Sequence, residues 1–269
     1  MNETSPSPVS AYMLTCNNDA TVERALESLH WVDEIVVVDS GSTDQTLEIV
    51  RRYTDKVQHH DWPGFRDQYQ YASEQCTHDW VVFIDADEEI SPQLAEEMQA
   101  ELRRNAQRAA AERVHGYHGH RRTFFLGRWH LHGGWARDHE IRLYDRRHGS
   151  WEGGLHANIK IRGREAELEH FCYHYTYDSI SDQIRTMDKY STTVAGDLQE
   201  EGKRVGLCKM IANPIAGFLR DYILRGGFRD GMAGFIVAVN CMFYVFWKYA
   251  KLWEAQRGFS LFDEHGRQP

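Results

Sequence analysis

The chain has 269 residues, 42% hydrophobic and 26% charged, with a formal net charge of −9. That length can bury a sizeable core, as one α/β domain or as a domain with an appendage, and the acidic balance excludes bulk nucleic-acid binding. The five cysteines (Cys16, Cys76, Cys172, Cys208, Cys241) are odd in number and scattered, without a C-x-x-C pair, which points to free thiols in a reducing compartment and away from a disulfide frame or zinc ribbon.

Met1 to Pro8 is polar and lacks an apolar signal core, so it reads as a disordered lead-in to a cytoplasmic protein. Val9 to Leu14 predicts a first strand, and Thr21 to Leu29 a short helix with Asp19 or Thr21 as N-cap. Glu34 to Asp39 is a second buried strand, followed by the turn Ser40-Gly41-Ser42-Thr43-Asp44 and a helix to Tyr53. Lys56 to His60 gives a third strand, Gln68 to Cys76 a helix, and Trp80 to Ile84 a fourth strand. Alternation of this kind predicts a parallel, doubly wound sheet in the first 90 residues, with its ligand at the carboxyl ends of the strands. Pro92 to about Glu112 is a helix, with Asp87 or Ser91 as its cap. Further strands are expected at Val114–Phe125, Glu140–Tyr144, His156–Arg162 and Glu167–His174, and a helix at Ser179–Glu201. From Gly206 to Trp253 the pattern is helical and apolar. The expected organisation is a lead at 1–8, a catalytic domain at 9–202, a helical tail at 203–257 and a flexible end at 258–269.

The fourth strand runs into Asp85-Ala86-Asp87-Glu88-Glu89. Two carboxylates at i and i+2 leaving a buried strand share a small volume, which is costly unless positive charge sits between them. A hard divalent cation carrying a diphosphate would suit them. About 46 residues upstream, and at the same sheet edge, Val36-Val37-Val38-Asp39-Ser40-Gly41-Ser42 sends another carboxylate out of a strand into a Gly-containing turn. That arrangement can accept the N–H groups of a base.

Ten of the fifteen histidines fall between His115 and His174, including His118-Gly119-His120 and His130-Leu131-His132. Such H-x-H pairs can bind zinc, but no H-E-x-x-H accompanies them, and polar cleft or surface histidines are the preferred reading. Between Lys203 and Arg257, nine Lys and Arg face three acids, a net of +6 within an acidic protein. Gly231 to Trp247 carries no charge, is interrupted by Asn240, and is flanked by Arg220, Arg225, Arg229, Lys248 and Lys251 with Tyr222, Trp247, Tyr249 and Trp253 at its borders. This mix suits a helix lying in an anionic membrane interface rather than crossing it. The alternative is packing on the catalytic domain or on a second subunit in a homo-oligomer.

The sequence resembles the family 2 inverting glycosyltransferases of the GT-A fold, and most of all their bacterial lipopolysaccharide core β-glucosyltransferase group. The resemblance runs from Val9 to Trp253. It is carried by Ser28–Asp44, Trp62-Pro63-Gly64-Phe65, Asp79–Glu88, Phe125-Leu126-Gly127-Arg128-Trp129, Gly133-Gly134-Trp135, Arg142-Leu143-Tyr144, Trp151-Glu152-Gly153, His174-Tyr175-Thr176-Tyr177 and Phe243–Trp253. It implies that Thr15 and Asn17 contact the nucleotide, that Asp39 binds the base (uracil in many members), that Asp85 positions the donor's ribose or sugar, and that Asp87 binds Mg²⁺ or Mn²⁺. It also implies a nucleotide-sugar donor, a membrane-anchored glycolipid acceptor, and peripheral attachment to the inner face of the membrane. Asp138, which lines up with the acid after Gly-Gly-Trp, is the first choice of base, with Glu140 and Glu152 behind it. Arg142 could hold the diphosphate, His156 metal or phosphate, and Trp135 or Trp151 a sugar ring. The sequence departs from many relatives at Asn18-Asp19, at Leu155-His156-Ala157, and after Phe65, where Arg66, Gln68 and Gln70 stand. Rival readings are a polyprenyl-phosphate or capsule transferase, and a non-catalytic sugar-nucleotide binding module.

Overall fold

The structure, a computed structural model, describes residues 7–153 and 157–258. His156, most of the expected lead and most of the expected flexible end lie outside the described residues. Its elements are β1 (Val9–Thr15), α1 (Val22–Glu27), β2 (Glu34–Asp39), α2 (Thr46–Val50), β3 (Val57–His59), α3 (Phe65–Glu74), β4 (Trp80–Phe83), β5 (Glu88–Ile90), α4 (Pro92–Gln107), β6 (Val114–Phe125), β7 (Arg128–Trp129), β8 (His139–Asp145), β9 (Gly149–Glu152), β10 (Asn158–Ile161), β11 (Arg164–His174), α5 (Ile180–Glu200), α6 (Leu207–Phe218) and α7 (Gly231–Arg257). They form two compact units. One is the chain up to Phe124 together with Arg137–Thr176; the other is Phe125–Ala136 with the chain from Tyr177 onward.

The first unit is built on a mixed, mostly parallel sheet of order β3-β2-β1-β4-β8-β6-β11-β5. β3, β2, β1 and β4 are mutually parallel, β8 runs against both of its neighbours, and β11 is parallel to β6. Side chains alternate faces along a strand, and the core follows that rule. Val9, Ala11, Met13, Val37, Val82 and Ile84 pack with residues of α1, α2 and α4 on one face. Tyr12, Val36, Val38, Val81 and Phe83 pack with residues of α3 on the other. The parallel, doubly wound expectation for the first 90 residues therefore describes β1 to β4. Ser91, not Asp87, caps α4, its side chain accepting from Leu94 N. Neither Asp19 nor Thr21 caps α1 through its side chain.

β5 is absent from the sequence reading. It is three residues long and pairs antiparallel with β11, more than 80 residues away, through Cys172↔Ile90 and His174↔Glu88. Between β4 and β5 in the sheet stand β8, β6 and β11, and the chain makes that passage in the four residues Ile84–Asp87. A segment so short and acidic has no local strand signal; its pairing partner makes it a strand.

Behind the sheet, four polar aromatic and hydroxyl groups meet in the dark of the core. Tyr12 and Tyr144 hydroxyls are 2.8 Å apart, Trp151 Nε1 donates to Tyr12 at 2.9 Å, and Ser73 Oγ lies 2.9 Å from Tyr144. Trp151 also stacks on Tyr69 with ring centroids 4.3 Å apart and is buried. Its place is in the core, which decides between the two readings of Trp151, core packing and stacking on a sugar, in favour of the core.

In the second unit, α5 belongs with the tail, so the break comes at Tyr177 and not near residue 203. The reason is a set of polar ties between α5 and α7. Asn240 donates to Gln183 Oε1 at 2.6 Å, and Lys251 donates to the Asp188 carboxylate at 2.6 Å and to Ser191 at 2.8 Å. Asn240, which interrupts the apolar run in the sequence, thus has a partner. Asp230, at the start of α7, is buried and accepts from His132 N at 2.9 Å and from its Nδ1 at 3.0 Å. Gly227 and Gly234 touch so closely that a Cβ on Gly234 would lie 2.1 Å from the Gly227 carbonyl oxygen.

Replacing Tyr12 with Phe removes the acceptor for Trp151 and a partner for Tyr144 while keeping the shape. A buried donor left unpaired costs about 1–3 kcal/mol. Urea unfolding followed by tryptophan fluorescence is expected to show a loss of that size; an unchanged midpoint would remove the hub from the account of the core.

Candidate active site

Thr15, Asp39 and Asp85 leave β1, β2 and β4 at one sheet edge, with Thr15 directly across from Asp39. Asp39 is buried and its carboxylate organises the turn after β2. Oδ2 accepts from Gly41 N and Ser42 N, each at 2.9 Å. Oδ1 accepts from Thr15 Oγ1 at 3.1 Å and from Ser42 Oγ. Gly41 sits at φ 103°, a conformation open mainly to glycine. Asn17, itself left-handed at φ 58°, accepts from Thr43 N at 2.8 Å and donates its backbone N–H to Ser42 Oγ at 2.9 Å. The loops after β1 and β2 are therefore stitched into one shelf, and the Asp39 carboxylate is engaged by the turn at both oxygens.

The acidic passage from β4 to β5 lies beside that shelf. Glu88 is buried and is gripped from two strands. Arg142 of β8 donates to it through both terminal nitrogens, at 2.6 Å from Nη2, and Arg121 of β6 donates through Nη1 at 3.1 Å. Burial alone would raise the Glu88 carboxyl; the two guanidiniums outweigh it and hold it at about 2. Arg142 is itself fully buried and also donates to Glu140 at 2.7 Å. With both terminal nitrogens committed to carboxylates and no exposed surface, Arg142 anchors the acidic loop. This corrects the expectation that it holds a diphosphate.

Asp85 accepts from the Tyr69 hydroxyl at 2.6 Å and receives no cation. Burial, then the charges of Glu88, Asp87 and Glu140, push its carboxyl up to about 7. Asp87 is partly exposed and faces His174 of β11, Nε2 to Oδ2 3.3 Å. Burial works against the His174 imidazolium, but Asp87 outweighs it and the pKa is raised. Hard divalent ions take carboxylate oxygens together with phosphate and water oxygens. The residues present fit such an ion: Asp87 offers a partly exposed carboxylate, His174 an adjoining nitrogen, and Asp85 a carboxyl that positive charge would ionise.

Asp138 precedes β8. Arg121 donates to its Oδ2 through Nε at 2.9 Å and also through Nη2, while Oδ1 makes no hydrogen bond among the described residues. Its side chain is 43% exposed, twice the 21% of Glu140, which both Arg121 and Arg142 hold. Glu152 is exposed and pairs with Lys160 at 3.6 Å. Asp85, Asp87 and Asp138 are thus joined through Glu88, Arg121 and His174 in one network, and Thr15, Asn17 and Asp39 form the neighbouring shelf. Trp135 belongs to the second unit, where it packs against Phe125, His130 and Tyr177. Tyr69, Glu88, Arg121 and His174 were not singled out from the sequence. Glu88 and His174 do fall within the stretches carrying the family resemblance, whereas Arg121 sits in a His- and Arg-rich strand with no motif.

Residues 10–162 match the family described as Glycosyl transferase family 2. Over 255 residues the chain is 32% identical to the lipopolysaccharide core biosynthesis glycosyltransferase LpsC of Rhizobium meliloti (strain 1021), covering 92% of each chain. It is 29% identical over 264 residues to an uncharacterized glycosyltransferase of Rickettsia felis (strain ATCC VR-1525 / URRWXCal2), covering 92% of this chain and 90% of that one. Among solved structures it is similar to the mannosyltransferase PcManGT from Pyrobaculum calidifontis in complex with GDP-Man and Mn²⁺, at 15% identity and a TM-score of 0.49, over 93% of this chain and 88% of that one.

Raising the folded-state pKa of Asp85 from 3.8 to about 7 makes its protonated form a source of stability. That contribution is complete below pH about 4 and is lost as pH rises through about 7. His174, also raised, acts with the same sign. Metal-free protein melted across pH 5 to 8 is expected to lose Tm as pH rises, and Asp85→Asn to lose clearly less. Parallel curves for the two proteins would contradict the assignment.

Proposed function

The chain belongs to glycosyl transferase family 2, and on that premise we propose that it moves a hexose, glucose first, from a uridine diphosphate sugar to a membrane-anchored glycolipid with inversion. It is a nucleotide-sugar glycosyltransferase; the metal dependence, donor, acceptor and residue roles below are the proposal. The observation that carries it is the Asp85 carboxyl, pushed up to about 7 at a sheet edge by burial and neighbouring acids, beside a partly exposed Asp87. Such a site is short of positive charge. Asp87, with His174 beside it, would hold Mg²⁺ or Mn²⁺, and when bound the ion neutralises the leaving diphosphate as a Lewis acid.

The protein's own groups do the rest. Thr15, Asn17 and Asp39 form the shelf for the nucleoside, and a base N–H can replace the Thr15 or Ser42 hydroxyl as donor to Asp39. Arg142 and Arg121 fix the acidic loop through Glu88. Asp138 takes the proton from the acceptor hydroxyl: Arg121 orients one oxygen and leaves the other open, which is what a base needs. In-line displacement by that hydroxyl inverts the anomeric centre without a covalent enzyme intermediate. Similarity to the Rhizobium lipopolysaccharide core biosynthesis glycosyltransferase favours a core glycolipid as acceptor.

Attachment to the inner face of the membrane is supported by α6. Leu207, Ile211 and Ile215 of α6, with Leu219 and Ile223 of the helical segment Leu219–Leu224 that continues it, recur every fourth residue and are exposed, from 48% to 70%. The exposed charges from Leu207 to Asp230 are Lys209, Arg220 and Arg229, all positive. An apolar stripe among cations suits an anionic lipid surface. One helical stretch, Gly227–Arg257, is also long and apolar enough to cross a membrane by length and composition.

Asp87→Asn is expected to keep the fold and to lose at least about 100-fold in Mn²⁺-dependent release of UDP from UDP-glucose, given the several kcal/mol a Lewis acid contributes. It should also lose the thermal stabilisation by UDP-glucose with Mn²⁺. Undiminished turnover would sink the reading, and stabilisation without turnover in the parent protein would favour a binding module. Co-sedimentation with phosphatidylglycerol-containing vesicles should fall sharply in Ile211→Glu/Ile215→Glu, and equal sedimentation would exclude the α6 stripe.

A further inference from the structure

Away from the acidic loop, three adjacent strands of the first unit bring two imidazoles and a carboxylate together. His118 of β6 stands level with Glu167 of β11, and His120 of β6 stands level with His139 of β8. His118 and His120 are two residues apart on one strand, so all four belong to one face of the sheet. One nitrogen or oxygen from each of His118, His139 and Glu167 lies within 4.8 Å of the other two.

The hydrogen bonds around these groups leave each of them one lone pair to give. His118 Nε2 is 2.7 Å from Glu165 Oε2; facing a carboxylate, this nitrogen carries the proton and Nδ1 is bare. That Nδ1 is enclosed and has no hydrogen-bond partner. His139 Nδ1 is 3.3 Å from the Arg137 carbonyl oxygen, so it donates and its Nε2 is bare. Glu167 makes no hydrogen bond or ion pair among the described residues. An imidazole whose far N–H is tied to a carboxylate or carbonyl is the usual arrangement of a metal-binding histidine, because that bond fixes the tautomer and raises the basicity of the ligating nitrogen. An orphaned, enclosed nitrogen is otherwise a cost.

We propose that His118, His139 and Glu167 form a second cation site, for a transition ion of the Zn²⁺ class, separate from the acidic loop. Two imidazoles and one carboxylate with room for water suit Zn²⁺ or Co²⁺ and are poor ligands for Mg²⁺, which prefers oxygen. An ion there ties β8, β6 and β11 together. Those strands carry Glu140 and Arg142, Arg121, and His174, so the site braces the scaffold of the acidic loop without touching it. The proposal does not rest on the glycosyltransferase reading.

The test is Zn²⁺ binding to the chelator-stripped full chain, by calorimetry in millimolar Mg²⁺ to keep the acidic loop occupied, with the Co²⁺ visible spectrum as a second readout. The expected result is one Zn²⁺ per chain and a rise in Tm. Both are lost in His139→Gln, both are kept in Asp87→Asn, and affinity is lowered about 10–100-fold in Glu165→Gln, which only removes the orienting carboxylate. His139 is exposed, so the stripped His139→Gln chain should melt like the parent, which separates loss of site from loss of fold. Zn²⁺ binding unchanged by His139→Gln, or binding abolished by Asp87→Asn alone, would overturn the proposal.

Discussion

The ion cluster of Glu88 with Arg142 and Arg121 is the constraint on which the site depends. A chain leaving β4 must reach the far edge of the sheet in four residues, with β8, β6 and β11 standing between in the strand order. Those four residues have little apolar surface to bury besides Ile84 and Ala86. What holds the passage is a buried carboxylate met by two guanidiniums, one from β8 and one from β6. Breaking such a pair by removing one partner typically costs about 3–5 kcal/mol, because the remaining charge stays buried alone. The cluster thus gives an acidic loop one conformation, and with it a fixed position for Asp85 and Asp87.

The same cluster explains why carboxyls pushed up and carboxyls held down are interleaved. Glu88, buried, and Asp85, half-buried, are three residues apart, yet their environments push them in opposite directions. Glu88 has two cations against it and stays ionised; Asp85 has a phenol and three acids around it and holds its proton to about pH 7. Opposed shifts within one loop mark where positive charge has been supplied by the chain and where it has not.

Much of this was legible in the sequence, and the reason is period. β1, β2 and β4 are nearly continuous buried runs ending in Thr or near Asp, so both the doubly wound sheet and the edge carrying Thr15, Asp39 and Asp85 follow from local pattern. Arg142 was misplaced because a lone arginine within a strand looks the same whether it faces a phosphate or a buried acid; only the non-local approach of Glu88, 54 residues earlier, decides it. Trp151 was ambiguous for a similar reason, its partner Tyr12 being 139 residues away. Arg121 and β5 carried no signal, since each acquires its role solely by pairing across the sheet. The split of the tail escaped notice because Asn240 and Lys251 read as an interruption and a flanking charge, whereas they bind α5.

The charge count around the acidic loop closes the argument. Asp85, Asp87, Glu88, Asp138 and Glu140 supply five carboxyl groups against the two fixed positive charges of Arg121 and Arg142, with the His174 imidazole beside Asp87. The loop is short of positive charge. Without a cation, the protein can ease the shortage by keeping a proton on Asp85, which is the direction in which that carboxyl is pushed. A divalent ion would ease it further and favour release of that proton, so cation binding and Asp85 ionisation are linked. An apolar replacement for Asp85, which has no arginine against it, would ease the strain and weaken the reason for an ion to bind. The loop therefore keeps, at a cost in stability, an excess of negative charge that a divalent cation could offset.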